Sequence, residues 1–299
     1  MPSRRHDLLA RLVPALRRSR ELDDEPTERA RVEAWHRTLD RSLPTRVVPG
    51  FARRWEVSVT DIGFPSYVLT PRRRPATRTL YYVHGGGFMA PIDPFHVRYA
   101  TRLADAIGAR VVLPDYPLAP EHTWADSHDA LVEDAARWAA ADGGAVLAGD
   151  SAGGGLALAV ALSMRDRGPA PATSLVLHAP WVDLTTSTPE TFALDAVDPW
   201  LFIGKTQAYA AWWAGSADDL ARPEVSPALG DLAGLPRALM LYGTRDLLAP
   251  GCRLLARRAA EAGWDLTAVE EPDLIHVYGL LPAVPESARA LRRVTEFVR

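Results

Sequence analysis

Apolar residues along the chain fall into two alternating rhythms. Short, mainly apolar runs at 79–83, 111–113, 145–148, 174–178, 238–242 and 266–270 lack the every-second-residue polarity of a strand with one wet face. They predict strands buried on both sides of a mainly parallel sheet. Between them, apolar residues recur three and four apart, the period of a helix. Val97, Ala100, Leu103, Ala104 and Ile107 follow this spacing until Gly108 stops them, and Leu131, Ala135 and Trp138 follow it within 127–141. The segments 156–162 and 251–262 read the same way, as do Leu291, Val294 and Val298 near the end. Alternation of this kind predicts an α/β fold, a sheet flanked by helices. Two further strands, at 54–60 and 64–69 around Gly63, precede it.

Two stretches break the rhythm. Residues 6–20 set Leu8, Leu9, Leu12, Val13 and Leu16 against arginines, a short amphipathic helix weakened by Pro14. Packing of that helix on its own protein is expected over contact with a membrane surface. Residues 27–40 predict a second helix, with Thr27 as its cap. Residues 180–230 are aromatic and proline-rich, with one helix near 206–214.

The candidate chemistry sits at one strand-to-helix junction. Gly149-Asp150-Ser151-Ala152-Gly153 reads G-x-S-x-G, after the apolar run at 145–148 and before the helix-forming run at 156–162. A serine on so tight a turn has its neighbours pressed together, so glycines at 149 and 153 remove side chains that would collide. A serine hydroxyl is a poor nucleophile at neutral pH and needs a base, which in turn needs an orienting acid. Loops at the carboxyl ends of later strands supply them, in the chain order serine, acid, histidine. His276 lies beyond the run at 266–270, and Asp246 beyond the run at 238–242. Asp183, after the run at 174–178, is the rival acid. Asp150 points the wrong way for an orienter and reads as structural, His178 reads as a buried hydrogen-bonded histidine, and His84 as a structural member of the glycine loop. Glycines at 85–87 let backbone N–H groups approach an oxyanion without side chains in the way, and the N–H of Ala152 completes the hole.

His84-Gly85-Gly86-Gly87-Phe88, Gly149 to Gly153 and the Asp115–His122 stretch D-Y-P-L-A-P-E-H resemble the hormone-sensitive-lipase-like branch of the α/β-hydrolases. This branch is also described as the bacterial family IV carboxylesterases. Residues 180–185 and 243–247 match as well, so the resemblance spans roughly 79 to 280. It implies a mainly parallel eight-stranded sheet with a helical cap. The cap would comprise 1–50 and an insertion at 180–230, over a core formed by 51–179 and 231–299. It implies a serine esterase with Ser151, Asp246 and His276 as triad. Gly86, Gly87 and Ala152 would form the oxyanion hole, with Gly85 ranked behind them. Two departures stand out: Pro117 occupies a position that is usually arginine, and Pro250 one that is often acidic. Family habit further suggests a homodimer.

Phe88, Met89, Trp181, Trp212 and Val277 are expected to contact substrate, beside further aromatics at Trp200, Phe202 and Trp213. So aromatic a wall suits short to medium acyl chains. The same machinery serves amide hydrolysis, which the residues do not separate from ester hydrolysis. A non-catalytic binding protein on this fold is disfavoured because all three triad residues are present.

Composition narrows the rest. The chain has 299 residues, 47% hydrophobic and 24% charged, with a formal net charge of -3, which implies neither a nucleic-acid nor another polyanion partner. Lone Cys252 excludes an internal disulfide and a cysteine metal cluster. No H-E-x-x-H or similar ligand set is present, so no metal or cofactor is expected. No apolar run approaches membrane-spanning length, and Arg11 and Pro14 interrupt the only signal-like stretch, so the expected location is cytoplasmic.

Overall fold

The computed structural model describes residues 1–17, 24–141, 143–168 and 172–299. Among the described residues eight strands form one sheet: β1 Trp55–Asp61, β2 Pro65–Pro71, β3 Arg78–Val83, β4 Ala109–Pro114, β5 Ala145–Asp150, β6 Ser174–His178, β7 Ala238–Arg245 and β8 Leu266–Ile275. Their order is β1-β2-β4-β3-β5-β6-β7-β8. β2 runs antiparallel to both its neighbours, and all pairings from β4 to β8 are parallel.

Among the described residues ten α-helices pack around the sheet: α1 Arg4–Arg17, α2 Glu25–His36, α3 Phe51–Arg54, α4 Pro94–Ile107, α5 His128–Ala139, α6 Ser151–Arg167, α7 Glu190–Leu194, α8 Ile203–Ala214, α9 Ala249–Glu261 and α10 Pro285–Val298. Successive strand residues feed opposite faces. Tyr81 and Leu147 join the core beneath α5, α6, α8 and α9, whereas Tyr82, Val146 and Ala148 join the core beneath α4 and α10. α6 is apolar almost all round and buried along nearly its whole length, as a helix without a polar face must be.

Unbroken burial holds for β5 and β6 but not for β8. β8 lies at the edge of the sheet: Thr267, Ala268, Glu270, Pro272 and Asp273 are exposed, Leu266, Val269 and Glu271 are half-buried, and burial begins at Leu274 and Ile275. Charge on an exposed edge also discourages pairing with a foreign strand.

Two helix expectations change. The cap of α2 is Asp24, whose side chain accepts from the amide and hydroxyl of Thr27, so Thr27 is the capped residue. α1 buries His6, Ala10 and Val13, while Leu8 and Leu12 remain exposed. Its rotation is set by anchors beyond the helix. The amide and hydroxyl of Ser3 bond Glu286, Arg5 bonds the carbonyl of Ala283, and His6 Nε2 accepts the amide of Ile275. Leaving a leucine outside forgoes about 1.5–3 kcal/mol, comparable to the ~1–3 kcal/mol cost of breaking a buried polar bond. The side chain of Leu16 and residues 18–20 of the expected helix lie outside those described.

α2 and the 180–230 segment are joined. Tyr209 of α8 donates to Glu28, and Trp212 donates to Glu25. Glu28 also accepts two bonds from Arg31 and has Lys205 Nζ at 3.7 Å.

Candidate active site

β5 ends and α6 begins at Ser151, whose φ of 53° is a left-handed value for a residue with a side chain. Such a conformation costs on the order of 1–3 kcal/mol and persists where the surroundings over-determine it. They do so here. A Cβ on Gly153 would sit 2.2 Å from the carbonyl oxygen of His84, and one on Gly149 would sit 2.4 Å from that of Gly153. β3, β5 and α6 therefore meet backbone to backbone, and the turn has one way to go.

Ser151 Oγ lies 2.9 Å from His276 Nε2, and His276 Nδ1 lies 2.9 Å from Asp246 Oδ2. With Nδ1 donating to the carboxylate, Nε2 is left as the acceptor for the serine hydroxyl. Asp246 is fully buried at the end of β7, and its second oxygen accepts the amide of Leu248 at 2.9 Å. Burial pulls the His276 imidazole down, but Asp246 by charge and hydrogen bond, then Asp198 and Asp150 by charge, outweigh it and leave its pKa above the ordinary 6.5. Asp183, the rival acid, spends both oxygens on the amides and hydroxyls of Thr185 and Ser187, capping its own loop.

The glycine loop after β3 faces Ser151. Gly85 N–H donates to Asp150 Oδ1 at 3.2 Å and is occupied. Gly86, with φ 116°, and Gly87 line the cavity, and among the described residues neither N–H has a partner. The amide of Ala152 belongs to the first turn of α6, where helical N–H groups lack internal acceptors.

Asp150 braces this loop from below. It also accepts the hydroxyl of Tyr82 at 2.7 Å and lies 3.4 Å from His96 Nε2. Burial alone would raise its pKa, but His96 and Tyr82 overcome that and hold it at about 2. Tyr116 donates to the His84 carbonyl at 2.9 Å, and its ring stacks on the His84 imidazole. Burial, with His96 beside it, pulls His84 down to about 3, and burial pulls His178, bonded to Tyr99, down to about 4. Both are neutral structural groups.

A cavity of about 1000 Å³ opens above Ser151 and His276. Met89, Trp181 and Val277 stand in its wall, as do Trp200 and Phe202. Phe88 and Trp212 do not. Phe88 is buried and stacked on Trp213 at 4.4 Å, and Trp212 is turned to Glu25. Both are packing residues, which helical or loop spacing cannot tell from wall residues. Other wall residues were not anticipated, among them Leu43, Val47, Phe95 and Lys205. Lys205 is the sequence's single lysine and could have been noticed on that ground. Asp198, whose charge acts on His276, was also missed; Asp198-Pro199 in a proline-rich stretch reads as an ordinary turn. Among the described residues no group of three or more His, Cys, Asp or Glu side chains could hold a metal ion, and no helix is long and apolar enough to cross a membrane.

A parallel sheet whose central strand delivers a serine on a strained turn, with acid and histidine from the next strand ends, defines a class. Residues 80–280 match the family model described as alpha/beta hydrolase fold, and the chain belongs to that family. Its place is the hormone-sensitive-lipase-like branch. An esterase from the bacterial hormone-sensitive lipase family superposes with a TM-score of 0.81 at 26% identity, covering 100% of this chain and 98% of that one. An acetyl-hydrolase of Streptomyces hygroscopicus is 35% identical over 245 residues, 76% of this chain and 78% of its own length. A carboxylesterase/phospholipase of Mycobacterium tuberculosis is 31% identical over 261 residues, 80% of this chain and 68% of its own. The protein is a carboxylic-ester hydrolase.

Proposed function

We propose that Ser151, His276 and Asp246 hydrolyse short- to medium-chain carboxylic esters through an acyl-enzyme intermediate. The observation that carries this reading is the unbroken hydrogen-bonded line from Asp246 through His276 to Ser151 at the floor of the cavity. Ser151 Oγ attacks the ester carbonyl carbon while its proton passes to His276 Nε2. The N–H groups of Gly86, Gly87 and Ala152 take the charge that develops on the carbonyl oxygen. Collapse expels the alcohol, which receives the proton from His276. Water then repeats the cycle on the acyl-serine and releases the acid.

Residues 1–50 and 180–230 act as a cap over a core formed by 51–179 and 231–299, and the bonds between α2 and α8 support that division. Met89, Trp181 and Val277 contact the substrate. The aromatic wall formed with Trp200 and Phe202 favours compact acyl groups, and the name of the acetyl-hydrolase relative supports acetyl at the short end.

One experiment tests both parts. With soluble aryl esters of increasing acyl length, kcat/KM should peak between acetyl and octanoyl and drop steeply by palmitoyl. Ser151→Ala should lose turnover and organophosphonate labelling while keeping the parent's Tm. A maximum at palmitoyl overturns the chain-length reading, and near-parental turnover by Ser151→Ala overturns the nucleophile.

A further inference from the structure

Asp198 lies in the 180–230 insertion between α7 and α8 and is 1% exposed. Its Oδ1 accepts the amides of Trp200 at 2.7 Å and Leu201 at 3.0 Å. Its Oδ2 accepts the amide of Leu247 at 2.7 Å. Leu247 follows Asp246 directly, and the next amide, that of Leu248, is bonded by Asp246 itself. Two neighbouring amides of the loop after β7 are thus divided between two buried carboxylates, one from the core and one from the insertion.

The other end of the arrangement reaches the histidine. The Trp200 ring meets the His276 imidazole edge-on, with centroids 5.7 Å apart and planes at 90°. Asp198 binds the amide of that tryptophan and the amide beside Asp246, so it ties together both neighbours of the imidazole. Burying a carboxylate costs several kcal/mol unless charge-assisted hydrogen bonds compensate it. Placing a second one beside Asp246 adds repulsion. Burial, and next the charge of Asp246, push Asp198 up to about 6, while His276 pulls the other way. An arrangement that costly, three bonds deep and aimed at the acid loop, calls for a reason.

We propose that Asp198 is a positioning residue of the triad, holding the Asp246 loop and the Trp200 ring against His276 from the insertion. The proposal rests on Ser151, Asp246 and His276 being the catalytic triad. It makes the insertion part of the catalytic apparatus as well as a cover. The charged groups acting on His276 are Asp246 from the loop after β7, Asp198 from the insertion and Asp150 from the end of β5. Asp195, also in the insertion, spends an oxygen on the amide of Ile203. When attack makes His276 an imidazolium, Asp198 adds a second anion to the one it already touches.

The test compares the full chain with Asp198→Asn and Asp198→Glu. Two rates are followed against pH: kcat/KM for a soluble aryl ester, and inactivation by an organophosphonate. Asparagine keeps an oxygen for Trp200 and Leu201 but turns an N–H₂ toward the Leu247 N–H and removes the charge. A nearby anion favours the imidazolium, so without it the acid limb of both profiles should move down by about half a pH unit or more. kcat should fall by roughly tenfold, because a misplaced triad loses rate rather than affinity, and KM should stay near the parent value. Asp198→Glu keeps the charge and should keep the parent's acid limb.

An acid limb that does not move in folded Asp198→Asn overturns the proposal, whatever happens to kcat. So does an Asp198→Glu limb that moves with it. If Asp198→Asn does not fold, Asp198→Ser is read by the same criterion. A parent that the organophosphonate fails to label at Ser151 defeats the triad reading itself. A labelled parent beside an unshifted variant removes the role of Asp198 alone.

Discussion

A buried imidazole is normally driven to its neutral form, and His84, His128 and His178 all follow that rule. His276 does not, because its carboxylate partners outweigh burial. As the base it must be unprotonated, so activity should fall as pH drops through a value above 6.5. The kcat/KM profile reads this directly. Asp246→Asn should cut kcat by about 10³–10⁴-fold, since an amide cannot hold the imidazole in the same tautomer. Asp183→Asn should stay within about threefold, as its oxygens serve only the Thr185–Ser187 turn. The reverse outcome moves the acid role to Asp183. The three residues of the line were legible in the sequence because chain order and strand ends constrain them. Asp198 was not, because its meaning depends on which amide a distant loop brings to it. Phe88 and Trp212 misled for a related reason: an aromatic is equally at home in a wall and in a core, and its rotamer decides.

At the scale of elements, the junction of β3, β5 and α6 is the least forgiving place. A methyl on Gly153 would meet two backbone carbonyls, 2.2 and 2.3 Å away, and backbone cannot step aside as a side chain can. Gly153→Ala should therefore lower stability by about 1–3 kcal/mol or more and displace Ser151 from His276. Thermal melts and organophosphonate labelling rates check the two effects separately, and parental values in both would contradict the close approach. The runs that become β3 to β7 were readable because two-sided burial leaves a continuous apolar signature. β8 was half readable: its position was right, but its place at the sheet edge, which exposes it, is a property of topology. The buried face of α1 was misread because His6, Ser3 and Arg5 are fastened to residues more than 260 positions away, and no local periodicity contains that information.

The whole molecule carries a pH signature from its interior. His84, His128 and His178 have pKa values pulled to about 3, 4 and 4, in each case chiefly by burial. Unfolding returns them toward the ordinary 6.5. Below that value the unfolded chain binds protons that the folded chain refuses, so stability must fall with falling pH across the window. His276, Asp198 and Asp115, shifted the other way, add stability on the acid side, but His6, also lowered by burial, joins the three rings, and the large displacements of those rings set the sign. Calorimetric Tm should decline from about pH 7 to about pH 4, and a level Tm over that range would contradict the neutral burial of these rings. The two-sided core and the strand-helix alternation were visible in the sequence at this scale; the pairing of α2 with α8 was not.

Lys205 has a practical consequence for anyone attaching this protein to a support. Arginine supplies every other basic side chain in this sequence apart from the histidines, so a reagent that acylates side-chain amines is directed to an ε-amine in the cavity wall, 12% exposed and 3.7 Å from Glu28. Coupling there threads the tether through the space that a ligand would occupy, so an immobilised preparation that binds nothing has been held by its mouth.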